Sequence, residues 1–579
     1  VSEASRLFES REHRVAFFVG AAAVIVGLST AAFLSWTCDD AFISYRYARN
    51  LVEGHGLVFN VGERVEGYTN LLWTLWIAVG FVFHVDPETW SSVSSLLADA
   101  STLTLLFAFH LQLRGRLRVS PWTLPVACLV AALHPDFQVF ATSGLETAAF
   151  TAVTFLGYSL VATGIVGPRA RPIAAGVAFG LASMLRPDGT IFAGIAGAAL
   201  FLQRPRRLRD AILFSGIVAA FYGSTTAFRL AYYGDWFPNT YYAKSADLAF
   251  HRQGLTYLLA YLHKYWVLFA GTVAVAYLLR ARRLPAPSEG SEADGTADAS
   301  RRFVVTHALL SLAFVAVYTY YVVRVGGDFM YARLLVPITP YLGILLELGL
   351  LGISLSRPVV YLELVASALI LMLLTPRPAT ASDWFSGIAD ERAVYDDAQV
   401  IQRANQASVL RPFFEGLPVH LAFLGTEARL MYDLDIPVAI ESETGLTDRA
   451  IAHQPLVKRD RIGHEKHADV RYLVQTRQVH FAFARWASER LEFGRYIPLR
   501  GIQFGSVSGR ILHWDPKLMA ELKKRGADFE DFPEYLDSYI ARMSTMPRKE
   551  VREDYAKFRL FYFEHVDDKE RQAAFESRL

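Results

Sequence analysis

This sequence predicts a polytopic α-helical membrane protein carrying a C-terminal domain of α/β or α+β type. Three observations predict it. Apolar residues make up 53% of the 579, and the mean hydropathy of +0.25 exceeds that of an ordinary soluble domain. Many of these residues fall in runs of about twenty, the length that crosses the hydrocarbon of a bilayer. The runs end near residue 376, and 377–579 is charged, with only short apolar stretches. A net charge of +2, with the basic residues in short clusters, leaves no footprint for a nucleic-acid partner.

Taken in order, Arg6, Arg11 and Arg14 precede the first apolar run, 15–36, and place the N-terminus inside. That run is long for a signal-peptide core and is read as a retained helix. Residues 70–84 are too short to span comfortably, and Trp73 and Trp76 suit a helix lying at the outer interface or re-entering. With that choice, spans 91–112, 121–140, 146–165, 172–185, 190–203, 211–230, 257–279, 303–324, 334–354 and 358–375 follow. They put the clusters at 114–118, 169–171, 204–209 and 280–283 on the inner side. The expectation is therefore about eleven transmembrane helices, N-terminus in and C-terminus out. The pair 172–185 and 190–203 is the weakest, broken at Arg186-Pro187.

The domains so read are a transmembrane domain over 1–376, with a first outer loop 37–90, and an outer soluble domain over 377–579. Within the first, a Pro/Ser/Glu/Gly/Asp-rich inner linker, 284–300, is expected to be disordered. In the outer domain VHLAFLG, IPVAI, VRYLV and HFAFA alternate with polar sequence, and 515–579 reads as helical and charged. Cys38 and Cys128 fall in different settings, which argues against a disulfide framework.

The stretch TCDDAFISYRYARNLVEGHGLVFNVGERVEGYTN, 37–70, holds the densest charge beside a span. Asp39 and Asp40 stand where the first helix emerges. An amphipathic segment follows, with Ile43, Tyr47, Ala48, Leu51 and Val52 on one side and Ser44, Arg46, Arg49, Asn50 and Glu53 on the other. One Asp is accounted for as a helix N-cap; two in succession, followed by Glu63, Arg64 and Glu66, ask for more. On the expected topology the outer loops also carry Glu146, Arg186, Asp188, Asn239, Lys244, Asp328 and Arg333. This one-sided collection points to a site at the outer membrane surface that takes a lipid-linked substrate.

There, a carboxylate serves as base for a hydroxyl, Arg or Lys holds a phosphate, and Tyr68, Trp236, Tyr241 and Tyr242 stack on sugar rings. Each residue has a plainer role beside the functional one. Glu146 caps a helix, Arg186 and Asp188 pair across a turn, Lys244 and Arg333 reach to headgroups, Asp328 shapes a Gly-Gly-Asp turn, and the aromatics form an interfacial belt. The group carries the reading, since no single residue decides it. No GK[ST] phosphate loop and no HExxH metal motif occur. His464 and His467 have ligand spacing only if helical, and a surface loop is the plainer reading.

DDAFISYRYARNLVEGHGLVFNVGERVEGYT (39–69) resembles the first-loop motif of the GT-C membrane glycosyltransferases, and in particular their terminal β-(1→2) arabinofuranosyltransferase branch. GLTDRAIAH (445–453) with RIGHEK (461–466) is similar to that branch's outer-domain signature. SGLET (143–147), PNTYYAK (238–244) and GGDF with Arg333 are similar to bacterial relatives. The resemblance implies inverting transfer of a sugar, arabinofuranose first, from a polyprenyl-phosphate donor to a hydroxyl of an envelope glycan at the outer face of the bacterial plasma membrane. It implies Asp40 or Asp39 as general base, Asp40 favoured. Arg186, Lys244 and Arg333 are candidates for the donor phosphate by charge and placement. Glu63, Arg64, Glu66, Tyr68, Trp236, Asn239 and Tyr241 are candidates for acceptor and sugar. No metal ligands are assigned; some relatives hold a divalent cation at this position and others do not, and the Asp pair suits either. The competing functions are a transporter or flippase of lipid-linked sugars, which needs a polar path through the membrane, and a non-catalytic assembly factor, which tolerates loss of both acids.

Overall fold

The computed structural model describes residues 11–579 except 118, 163–169, 203–207, 281–293, 379–386, 395–396, 424–426, 460 and 484–492. The chain divides into two compact units. The first comprises 1–41, 69–236 and 246–394; the second comprises 42–68, 237–245 and 395–579.

The first unit is helical throughout, but the expected count of about eleven spans is not met. Among the described residues five helices are long and apolar enough to cross a membrane: Arg14–Phe33, Pro87–Arg116, Leu208–Tyr232, His251–Arg280 and Asp298–Val325. The other six expected spans are shorter helices or pairs of helices. The apolar run at 121–140 breaks before Pro135 into Val126–Leu133 and Pro135–Val139, because proline clashes with the preceding turn. Thr147–Ala162, Arg171–Leu185, Gly189–Leu202, Val336–Leu351 and Pro358–Leu374 are the rest, and Leu71–Val82 is another short helix. At about 1.5 Å per residue, a helix of 15 residues reaches about 22 Å, short of the roughly 30 Å of hydrocarbon. Of the expected 284–300 linker, 284–293 lie outside the described residues and 294–300 open the helix Asp294–Val325.

Close approach of backbones packs these helices. A Cβ on Gly254 would stand 2.0 Å from the Val323 carbonyl oxygen, and one on Gly271 would stand 2.5 Å from the Leu346 nitrogen. Polar pairs cross the interior as well. His110 Nδ1 lies 2.7 Å from Glu347 Oε1, both fully buried, and Ala127 N donates to Glu347 Oε2 at 2.8 Å.

The second unit is a mixed α/β domain around a five-stranded sheet ordered β2-β1-β3-β5-β4. The strands are β1 (His420–Phe423), β2 (Val438–Glu441), β3 (Phe481–Ala482), β4 (Arg500–Phe504) and β5 (Val507–Ile511). β1 pairs parallel with β2 and β3, while β5 pairs antiparallel with β3 and β4. Gly505-Ser506 makes the β4–β5 turn, with Gly505 at φ +55°, the left-handed conformation a two-residue hairpin requires. The apolar VRYLV stretch enters a helical turn, Tyr472–Thr476, instead of joining the sheet.

The segment 42–68 belongs to this second unit. Its helix, Ala41–Val52, buries residues from both expected sides, with Ser44, Arg46 and Asn50 each under 5% exposed, while Val52 at its end is exposed. The reason is hydrogen bonding: Arg46 donates to the carbonyls of Phe59 (2.7 Å), Met431 (3.1 Å) and Ile436. Burial, with Arg49 adding repulsion, lowers the Arg46 guanidinium to about 9.

Candidate functional site

In the first unit the structure brings together five residues singled out in the sequence, Glu146, Arg186, Asp188, Asp328 and Arg333. Glu146 precedes the helix Thr147–Ala162 and is 4% exposed. It accepts from Asn70 Nδ2 at 3.0 Å, and its Oε1 lies 3.5 Å from both Arg186 Nη1 and Arg333 Nη2. Arg186 leaves the helix Arg171–Leu185 in extended conformation and returns on Asp188 through two bonds, Nε–Oδ1 at 3.0 Å and Nη2–Oδ2 at 2.8 Å. Tyr318 donates to the same Asp188 oxygen at 2.7 Å. Arg186 is thus engaged in the bidentate geometry that guanidinium and carboxylate favour.

Arg333 is held more loosely. Its ion pairs to Glu146 and Asp328 are 3.5 and 3.6 Å long, and its buried Nε has no hydrogen-bond partner among the described residues. Burial on its own would lower the Arg333 pKa; Glu146 and Asp328 outweigh it, Asp40 adds to them, and the guanidinium stays charged. The loop carrying it is clamped by Tyr257, which donates to the Met330 carbonyl at 3.0 Å and accepts from Leu334 N at 3.2 Å. Gly327, at φ +77°, lies where a Cβ would enter the Tyr257 ring.

Asp39 and Asp40 form the turn between the first long helix and Ala41–Val52. The turn is tied down at Cys38, whose N–H donates to the Ser143 carbonyl at 2.9 Å. Trp73 Nε1 donates to the neighbouring Gly144 carbonyl at 3.0 Å. Asp39 is 2% exposed and Asp40 is half-buried. The arrangement offers a carboxylate in the field of a charged guanidinium that has an uncommitted donor. Trp236, which closes this unit's 69–236 segment, is exposed.

The remaining predicted residues lie in the second unit. Glu66 is buried, and its carbonyl accepts from Asn239 N at 2.9 Å. Asn239 Nδ2 donates to the carbonyls of Gly445 and Leu446 at 2.7 and 2.9 Å, so this side chain is committed to the fold. Tyr68 is 3% exposed and packs edge-on against Tyr47, and Tyr241 stacks on Phe237. Lys244 lies beside Gly463, with Arg459 Nη1 3.5 Å from its carbonyl. Arg64 is exposed.

Glu63 lines an open cavity of about 410 Å³ with Val65, Asp448, Arg449, Ala450, His453, Tyr472 and Arg477. Asp448 lies within the GLTDRAIAH stretch but was not singled out there, and Tyr472 and Arg477 carry no motif of their own and were missed in the sequence. His464 and His467 sit in a non-helical segment, and among the described residues no three His, Cys, Asp or Glu side chains converge as ligands to a metal.

The chain thus combines a helical membrane unit holding a carboxylate–arginine cluster with a mixed α/β unit. The structure matches that of ArnT from Cupriavidus metallidurans bound to undecaprenyl phosphate, with a TM-score of 0.50 and 14% identity, over 76% of this chain and 88% of that one. In sequence the chain is related to two curated proteins named terminal β-(1→2)-arabinofuranosyltransferase. The Mycobacterium tuberculosis protein is 31% identical over 348 residues, and the Corynebacterium glutamicum protein 31% over 349. Each match covers 55% of this chain, and it spans about half the length of each relative, 53% and 48%. No family model matches the chain.

Proposed function

We propose that this protein is an inverting glycosyltransferase that moves a sugar, arabinofuranose in the first instance, from a polyprenyl-phosphate donor to a hydroxyl of an envelope glycan. The observation that carries the reading is the joining of the Asp39-Asp40 turn to the field of Arg333, a guanidinium with an unused buried donor. Asp40 takes the proton of the acceptor hydroxyl, with Asp39 as the alternative base. The acceptor oxygen then attacks the anomeric carbon as its bond to the phosphate oxygen breaks. Arg333 receives the charge on the departing lipid phosphate. Arg186 holds Glu146 and Asp188 in place, and its bidentate pairing makes it the weaker phosphate candidate; Lys244 is a further candidate on charge alone. The names of the relatives favour the arabinan reading over a flippase or an assembly factor.

The test is direct. Purified protein is incubated with decaprenyl-phosphoryl arabinofuranose and a short synthetic arabinan, and product is read by mass spectrometry. Asp40→Asn is expected to lower the rate about a hundred- to ten-thousandfold, the usual contribution of a general base. Full activity in correctly folded Asp39→Asn and Asp40→Asn variants would sink the proposal. Product only from polyprenyl-phosphoryl mannose, glucose or galactofuranose would keep the reaction and change the sugar. The site is proposed to face outward from the bacterial plasma membrane. Cysteines placed on the exposed surface of 397–579 should then react with an impermeant maleimide in intact cells, and labelling only after lysis would reverse that orientation.

A further inference from the structure

The cavity of the second unit is built from charged groups that neutralise one another. Both Glu63 carboxylate oxygens lie 2.7 Å from Arg477 Nη2. Arg477 Nε stands 3.2 Å from Asp448 Oδ2. Asp448 is 2% exposed; it accepts from Tyr472 OH at 2.9 and 2.8 Å through its two oxygens, and from the Ile451 N–H at 3.0 Å through Oδ1. Tyr472 is therefore held as the neutral donor, burial and Asp448 both raising its pKa. The His453 ring, stacked 4.0 Å from that of Tyr242, also lines the cavity, as do Val65 and Ala450.

The charge balance of this lining limits its ligand. Glu63 and Asp448 offset Arg449 and Arg477, so the wall presents no net charge to select an anion or a cation. Arg477 Nη2 bonds both Glu63 oxygens, and Nε is ion-paired with Asp448 at 3.2 Å without a hydrogen bond, so two carboxylates already balance this guanidinium. What remains for a ligand is the outer edge of the Glu63 carboxylate, Arg477 Nη1, which makes no hydrogen bond among the described residues, and apolar surface at Val65, Ala450 and the His453 ring. Fixed donors and acceptors alternating with small apolar faces complement a sugar, whose hydroxyls ring a C–H face. The volume, about 410 Å³, lies within the usual range for small-ligand sites.

We infer that this cavity, framed by Glu63, Asp448, Tyr472 and Arg477, is a binding site for a neutral glycan, the acceptor of the proposed transfer. Its assignment to the acceptor rests on the glycosyltransferase reading; the binding of a neutral glycan does not. Buried Asp448 and partly buried Glu63 hold Arg477 and Tyr472 in place, so the ligand meets a site that is ordered before it arrives.

The test uses the full chain in detergent and equilibrium binding of a short synthetic arabinofuranose oligosaccharide. A mannose oligosaccharide of equal length and inorganic phosphate serve as competitors. Ala450→Trp fills the cavity from an exposed position without touching the ion pairs, and Tyr472→Phe removes one hydroxyl. Ala450→Trp is expected to weaken glycan binding at least about tenfold, equivalent to about 1.4 kcal/mol. Unaltered affinity in Ala450→Trp, or displacement of the glycan by phosphate, overturns the inference. Should Ala450→Trp not fold, Ala450→Leu is read the same way. Cavity-dependent binding without any turnover would leave the site standing and refute the transferase reading. Turnover with binding indifferent to the cavity would do the reverse. Displacement by the mannose oligosaccharide alone keeps the site and changes its sugar.

Discussion

Glu146 holds together groups that are far apart in sequence. It is nearly buried and is the common partner of Asn70, Arg186 and Arg333. Replacing it by Gln keeps the hydrogen bond from Asn70 but leaves two guanidiniums facing each other with one fewer negative charge. Removing one partner from a buried ion network typically costs about 3–5 kcal/mol. Glu146→Gln is therefore expected to lower the thermal midpoint in detergent substantially. The two arginines should separate in kinetics. Arg333→Ala removes the loosely held guanidinium and should raise KM for the lipid donor more than it lowers stability. Arg186→Ala strips the bidentate partner from Asp188 and should chiefly lower stability. Equal effects of the two on stability and on KM would contradict the roles given them.

At the scale of elements, the helices of the first unit meet through small residues and a few buried polar pairs. The His251–Arg280 helix approaches the Asp294–Val325 helix at Gly254 and the Thr339–Ser356 helix at Gly271. A side chain at either position meets backbone, which cannot give way as a flexible side chain does. Gly271→Leu is expected to cost about 3 kcal/mol or more by overpacking, and to reduce the yield of folded protein on size exclusion. Gly216 faces open space in the Leu208–Tyr232 helix, and Gly216→Leu should fold normally beside it. Matching loss in the two variants would remove the close-packing account.

For the molecule as a whole, a stack of histidines makes acid the condition to which the second unit is most sensitive. His420, His480, His513 and His565 follow one another with ring centroids 5.4, 4.5 and 4.4 Å apart. Burial, then neighbouring histidines, pushes His480 down to about 2 and His513 to about 4. Burial also lowers His565. Asp515 and Glu564 face the stack and pull the other way without cancelling the effect. His480, His513 and His565 prefer to be neutral in the folded state. Their contribution is therefore present above their unfolded value of about 6.5 and is lost as pH falls toward the folded values. For His513 the loss between pH 6.5 and 4 is about 3 kcal/mol, at about 1.4 kcal/mol per pH unit. The thermal midpoint of the second unit should fall over that window, and less steeply in His565→Phe. A midpoint independent of pH between about 7 and 4 would contradict this.

Legibility in the sequence followed the range of the interactions concerned. Long apolar runs announce membrane helices locally, and five of the expected spans appear as helices of sufficient length. The count failed where apolar runs are shorter than a bilayer or interrupted, as at Pro135 and Arg186-Pro187, because hydropathy reports composition and not how far an unbroken helix extends. Charge type and loop position singled out Glu146, Arg186, Asp188 and Arg333, since charges beside apolar runs are costly enough to stand out. That Arg186 is fully paired while Arg333 keeps a buried donor unused is a matter of side-chain geometry, which no spacing reveals. Neither Tyr68 nor Asn239 could be recognised as a packing residue before its neighbours were known. By itself, then, the sequence determined a helical membrane unit, a charged α/β unit and an acid pair at the end of the first long helix, because hydrophobic length and charge act within a few turns of chain. Only the tertiary structure decided which helices are long, that 42–68 folds with the second unit, and which carboxylate each arginine meets, because those depend on segments hundreds of residues apart being brought within 3–4 Å, as Glu63 and Arg477 are at 2.7 Å.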